Sequence, residues 1–117
     1  MSIALLASSA SLQAVEVSKG SWLSSMETAL PAAFCDKNMY FRQCFSISAI
    51  ECEEAASSTT RLCLNKYKSD FPEVFDQPKD GTKWGTIIGE CAGTAFEVSL
   101  IKKRINSKKC NDVANWK

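Results

Sequence analysis

The sequence contains no histidine. That absence excludes Ser-His-Asp and Cys-His nucleophilic machinery, zinc hydrolase centres built on imidazole, and any imidazole proton shuttle. Its six cysteines include no C-x₂-C or C-x₄-C pair, so neither a zinc site nor a C-x-x-C redox motif is written into the chain. No apolar run approaches the ~18–20 residues that a membrane-spanning helix needs. Charge of one sign is not in excess either: 14 basic against 13 acidic residues give a net of +1. Nucleic-acid binders are usually strongly basic, so no nucleic-acid partner is implied. No metal and no cofactor are expected.

What is present is cysteine in a short chain. Cys35, Cys44, Cys52, Cys63, Cys91 and Cys110 make an even set within 117 residues, which reads as a disulfide framework and hence as an oxidising compartment, periplasmic or secreted. The spacing departs from the close or adjacent cysteine pairs of insect odorant-binding proteins, plant lipid-transfer proteins and saposin-like proteins. Met1 to Ala14 carries no charge and holds a short apolar stretch, Ile3 to Ala7, followed by small residues. Residues 1–18 therefore read as the remnant of a signal peptide or a disordered tail, and residues 19–117 as one domain.

Periodicity makes that domain all-α: a small disulfide-stapled bundle of three to four helices with a long structured loop before the last. Ser21 is expected to cap a first helix through Trp22, Met26 and Leu30, with Pro31 ending or kinking it. Asp36 or Asn38 is expected to cap a second stretch through Phe41 and Phe45. Residues 49–69 lack Gly and Pro and place Cys52, Ala56, Thr59, Cys63 and Tyr67 on one stripe, a long helix. Asp70 to Gly81 reads as a loop on its two prolines and Asp-Gly. Thr82 is then expected to cap a final helix whose stripe is Trp84, Ile88, Cys91, Ala95, Val98 and Ile105. Gly85, Gly89 and Gly93 form a second row on it; each glycine costs about 1 kcal/mol against alanine in a helix interior, so a close-packed neighbour is expected there.

Cysteines 8 or 11 residues apart on one helix lie about 12 or 16 Å apart, beyond disulfide reach. In an antiparallel hairpin the numbers of facing residues have a constant sum, and Cys63 with Cys91 and Cys44 with Cys110 both give 154. This favours those two bridges, with Cys35–Cys52 remaining.

Paired carboxylates are the only acid–base kit. Glu51 with Glu54, and Glu90 with Glu97, share helix faces, but nothing places either pair across a cleft. Glu73, Asp76 and Asp80 lack calcium-loop spacing. The clearest asymmetry is basic: residues 99–117 carry a net of +5, from Lys102, Lys103, Arg104, Lys108, Lys109 and Lys117 against Asp112, so the remainder sums to −4. Such a patch suits helix C-terminal electrostatics, or recognition of an acidic protein, anionic lipid or cell-wall polymer.

The expectation is a small exported, non-catalytic binding protein that meets a protein partner outside the cytoplasm through its surface, of an inhibitor or immunity type. The alternative is a small apolar ligand carrier with a cavity lined by Phe34, Phe41, Phe45, Trp84 and Phe96. An apolar cavity above ~300 Å³ favours the carrier, and a filled core favours the surface binder.

Overall fold

The structure is a computed structural model and describes residues 15–116. The expected signal-peptide remnant falls mostly outside that range, but its last four residues do not. Strand β1 (Val15–Ser18) pairs antiparallel with β2 (Val74–Gln77), Val17 opposite Phe75. Val15–Ser18 thus belongs to the folded body rather than to a tail. The segment read as a loop supplies the partner strand, because Phe75 between exposed neighbours is an alternating, one-side-buried pattern.

Helix α1 (Lys19–Phe34) starts three residues earlier than a cap at Ser21 would allow: Ser18 is the cap, its hydroxyl accepting from the Ser21 amide at 3.2 Å. Pro31 is accommodated inside the last turn instead of ending the helix. It is buried there, and only one intrahelical bond is forgone so close to the end. A turn led by Asp36, whose carboxylate accepts from the Asn38 amide, precedes the single-turn α2 (Tyr40–Gln43), which starts after Met39.

Helix α3 (Ala49–Tyr67) opens on a capping box, with the Ser48 hydroxyl accepting from the Glu51 amide and the Glu51 carboxylate from the Ser48 amide, both at 3.1 Å. A 3₁₀ turn (Lys68–Asp70) continues it. Helix α4 (Lys79–Ser99) begins three residues before Thr82, directly after Pro78. It ends well before Ile105: Leu100 turns the chain through a second 3₁₀ turn (Ile101–Lys103) so that Arg104 can pair antiparallel with Phe45. α5 (Lys108–Asn111) and a 3₁₀ turn (Val113–Trp116) close the described chain.

α3 lies centrally, flanked on one side by α1 and on the other by α4. Two apolar clusters divide the interior. One gathers Trp22, Leu64, Phe71, Phe75, Ile88 and Ala92 around Cys63; Trp22 stacks on Phe75 with centroids 4.4 Å apart. The other gathers Phe45, Ala56 and Phe96 with Cys35, Cys44, Cys52 and Cys110.

Three disulfides link Cys35 to Cys52, Cys44 to Cys110 and Cys63 to Cys91, with Cα separations of 5.8, 5.6 and 6.0 Å. The shared sum of 154 has different origins at its two occurrences. Cys63 and Cys91 face each other from α3 and α4, which are antiparallel helices. Cys44 and Cys110 lie outside both, where the Phe45–Arg104 pairing brings the chains together.

The buried face of α4 is Ile88, Ala92 and Phe96, one position round from the stripe that the sequence suggests. Val98 and Ile105 are correspondingly exposed. The glycine row does not serve a close approach along its length. A methyl group at Gly85 or Gly89 would meet nothing within 4 Å, and one at Gly93 would touch Phe41 at an ordinary 3.5 Å.

Candidate functional site

Of the aromatics expected to line a cavity, Phe34 and Phe41 wall a cleft that opens at the surface, whereas Phe45 and Phe96 are buried behind them. Phe34, Phe41, Phe45 and Phe96 pack on one another, with Phe41 and Phe96 centroids 4.5 Å apart and Phe45 edge-on to Phe96 at 5.5 Å. Trp84 stands in the other cluster, edge-on to Phe71 at 4.9 Å. Of the hollows at the surface, two bear on function.

The first is a shallow groove of about 890 Å³ between α3 and α4, floored by Leu62, Cys91, Ala95 and Val98 and flanked by Lys66 and Glu90. It is the apolar stripe that the rotation of α4 leaves out of the core. The second is a deeper cleft of about 520 Å³ between α2, the last turn of α4 and the C-terminal segment. Phe34, Met39, Tyr40, Phe41 and Trp116 make its apolar walls, and Glu97 and Arg104 its polar edge. Its volume falls within the range of small-ligand and side-chain sites.

That polar edge is a network of three side chains distant in sequence. Tyr40 opens α2, Glu97 lies in the last turn of α4, and Arg104 sits in the β-bridge. The Arg104 backbone is fixed by its neighbours: Lys103 O accepts from the Ser46 amide and Cys44 O from the Ile105 amide, both at 2.8 Å. Arg104 Nε donates to the Tyr40 hydroxyl at 2.8 Å, while its Nη2 donates to the Cys110 carbonyl at 3.0 Å and Nη1 to the Ile105 carbonyl. The Tyr40 hydroxyl in turn donates to Glu97 Oε1, which lies 3.7 Å from Arg104 Nε. Burial, and then the adjacent Glu97 carboxylate, raise the Tyr40 phenol above its ordinary pKa of 10.0, against the opposing pull of Arg104. Tyr40 therefore stays protonated at neutral pH and acts as a donor, not as a base.

The C-terminal wall is held just as definitely. The Cys44–Cys110 bridge anchors it. Ser107 caps α5, accepting from the Cys110 amide at 3.1 Å. Trp116 Nε1 donates to the Lys109 carbonyl at 3.1 Å. Lys109 Nζ donates to the Gln43 side-chain carbonyl at 2.6 Å and rests 5.6 Å from the Trp116 ring centroid.

The basic cluster is thus divided in its work. Arg104 is a structural hub, and Lys103 lies 3.8 Å from Glu51 in an exposed pair. Lys109 is braced over Trp116. Lys102 and Lys108 are exposed, with no carboxylate in ion-pair range among the described residues. Of the paired carboxylates, Glu51 caps α3 and Glu54 lines a surface hollow with Glu53 and Arg61, while Glu90 flanks the groove and Glu97 edges the cleft. Among the acidic residues around the start of α4, Asp80 in its first turn accepts from the Asp76 amide at 2.7 Å and Glu73 pairs with Lys19 at 3.7 Å. No group of three or more acidic or cysteine side chains suited to a metal gathers among the described residues.

Sequence reading missed Tyr40, Glu97 and Trp116 as parts of one site. The available signal was their proximity to Cys44, Arg104 and Cys110, but it was hidden by extending the last helix through Arg104. No curated protein and no solved structure matches the chain. The family model of the T2SS substrate NttA matches residues 16–104, a span that contains Tyr40, Glu97 and Arg104 and stops before Cys110 and Trp116. The chain belongs to this family of type II secretion substrates, secreted proteins that cross the periplasm on their way out.

Proposed function

We propose that the chain is a non-catalytic binding protein that acts outside the cell through its surface, with residues 1–14 as its export leader. The observation that carries this reading is the pairing of a filled interior with a preformed aromatic cleft at the surface. Phe45 and Phe96 are buried against Phe34 and Phe41, so the space between the helices is filled and the hollow beside them opens to solvent. The cleft beside them has side chains fixed by a disulfide and a hydrogen-bond network before any partner arrives, which lowers the ordering cost of binding. Of the two forms expected, an inhibitor that meets its target outside fits a secreted family better than an immunity protein whose target is met in the periplasm.

The cleft offers a phenol held protonated, a carboxylate and a guanidinium occupied by carbonyl acceptors. None of these is an activated nucleophile, which supports a binding role over a catalytic one.

The test is photo-crosslinking of the oxidised protein, added to intact target cells and to culture medium, followed by mass spectrometry. A saturable adduct with one protein, diminished by unlabelled protein and by reversal of Lys102 and Lys108 to Glu, is expected. Recovery of the protein alone in every setting, or turnover of a substrate in general hydrolase screens, would overturn the reading. Intact mass of the secreted form should start after residue 14; retention of Met1 would remove the leader from the proposal.

A further inference from the structure

The geometry points to a partner class for the cleft: an acidic protein segment that inserts one aromatic or large aliphatic side chain between Tyr40, Phe41 and Trp116. This inference rests on the surface-binding reading above and narrows it to one site and one chemistry.

Size and lining come first. About 520 Å³ walled by aromatic rings admits a Trp, Phe or Leu side chain with the backbone that carries it, as a buried anchor surrounded by a polar rim would require. The mouth is apolar as well. Met39 and Val113 stand at its lip and are 49% and 70% exposed, so they contribute contact area to a partner rather than to the core.

Charge selects the sign of the flanks. The single carboxylate on the edge, Glu97, is already engaged by the Tyr40 hydroxyl and faces Arg104, so it offers little to a cationic segment. Lys108 and Lys109 adjoin the wall formed by Cys110 and Trp116, within a C-terminal segment of net +5. Arg104 spends three of its five N–H groups on protein acceptors and faces Glu97, so these two charges offset each other and the field at the edge is set by the lysines. A segment with Asp or Glu beside its anchor would meet Lys108 and Lys109. The α3–α4 groove is larger, but Lys66 and Glu90 balance there and select no partner sign.

The experiment uses the full oxidised chain and three fluorescein-labelled twelve-residue peptides. One carries a central Trp flanked by Asp and Glu, one has Ala in place of Trp, and one keeps Trp but carries Lys flanks. Anisotropy at low salt is expected to show the acidic Trp peptide binding at least tenfold more tightly than either control. Raising the salt to 0.15 M should weaken it several-fold, since exposed charges are screened over about 8 Å. Amide shift changes should centre on Met39, Tyr40, Val113 and Trp116. Met39→Asp with Val113→Asp, both at exposed positions, should cut affinity at least tenfold while the thermal transition stays in place; Lys108→Glu should cut it several-fold. Equal binding of all three peptides, preference for the Lys-flanked one, or shifts centred on Leu62 and Val98 would overturn the inference. So would unchanged binding by the Met39→Asp, Val113→Asp protein. A crosslinked partner retained by that double variant would leave the surface-binding reading standing and this one refuted; absence of any partner would refute the surface-binding reading itself.

Discussion

The two ends of the molecule are held by different means. At the end that contains the strand pair, long elements meet over large side chains. Trp22 stacks on Phe75 and meets Phe71 edge-on at 5.3 Å, Ile88 and Leu64 fill the layer behind, and one disulfide crosses it. At the end that contains the cleft, α2 and α5 have four residues each, too short to be stable alone. Two disulfides and the Arg104 network fasten them to the ends of α1, α3 and α4. Packing suffices where elements are long, and covalent and polar links take over where the chain must present short pieces in a fixed arrangement. The candidate site lies at the second end.

Substitutions can break this contrast on either side. Trp22→Ala should have the largest effect, about 3–5 kcal/mol, because it empties the centre of the packed end; urea unfolding should show a global loss with an unchanged cleft until the transition. Replacing Cys44 and Cys110 together by Ser should cost about 4 kcal/mol on chain-entropy grounds for a loop of this length. The loss should be uneven. Hydrogen exchange should accelerate at residues 101–116 and around Tyr40 well below the global transition, and uniform acceleration would mean that the two ends are not held independently.

Arg104→Met should cost less, about 2–3 kcal/mol, by orphaning the carbonyls of Ile105 and Cys110 and the charge of Glu97. It also has a spectroscopic signature. Tyr40 ionises above its ordinary value, and Arg104 is the influence that lowers it, so the ultraviolet titration of Tyr40 should move further up in the variant. Because the folded-state pKa is raised, the Tyr40 contribution to stability is present below pH 10 and is lost as pH rises through the folded value.

Ser48→Ala should cost about 1 kcal/mol by removing the cap of α3. Glu51, held below its ordinary 4.5 first by the Ser48 backbone amide and then by Lys103, has the opposite sign: its contribution is present above pH 4.5 and is lost as pH falls through the lower folded value. Acid unfolding of Glu51→Gln should therefore lack part of the wild-type slope. The smallest effect should be favourable. Gly85→Ala and Gly89→Ala, each with open space for a methyl group, should stabilise by about 0.5–1 kcal/mol in thermal melts.

The three long helices were legible because each repeats an apolar stripe over several turns, and α3 was bounded as well by its lack of Gly and Pro; its Ser48–Glu51 capping box emerged only in the structure. The strand pair was not, since β1 and β2 have four residues each and owe their pairing to distant sequence, Val15 opposite Gln77 and Ser18 opposite Val74. On α4 two apolar rows compete a hundred degrees apart. Ile88–Ala92–Phe96 prevails over Ile88–Cys91–Ala95 because Phe96 meets Phe34, Phe41 and Phe45, which no helix-by-helix reading can foresee. The basic segment was visible as composition, but the division between Arg104 as a hub and Lys108 as an exposed charge depends on the Phe45–Arg104 pairing.

The order of the disulfides along the chain has one more consequence. The loop closed by Cys35 and Cys52 overlaps the one closed by Cys44 and Cys110, and the latter encloses the one closed by Cys63 and Cys91. Every peptide bond between Cys35 and Cys110 is therefore spanned by at least one bridge. A single protease cut anywhere in that interval leaves one covalent molecule, with α1 still tethered to the Trp116 wall. In an extracellular medium shared with proteases, the working life of the protein is then set by the persistence of its folded shape, and not by the integrity of its backbone.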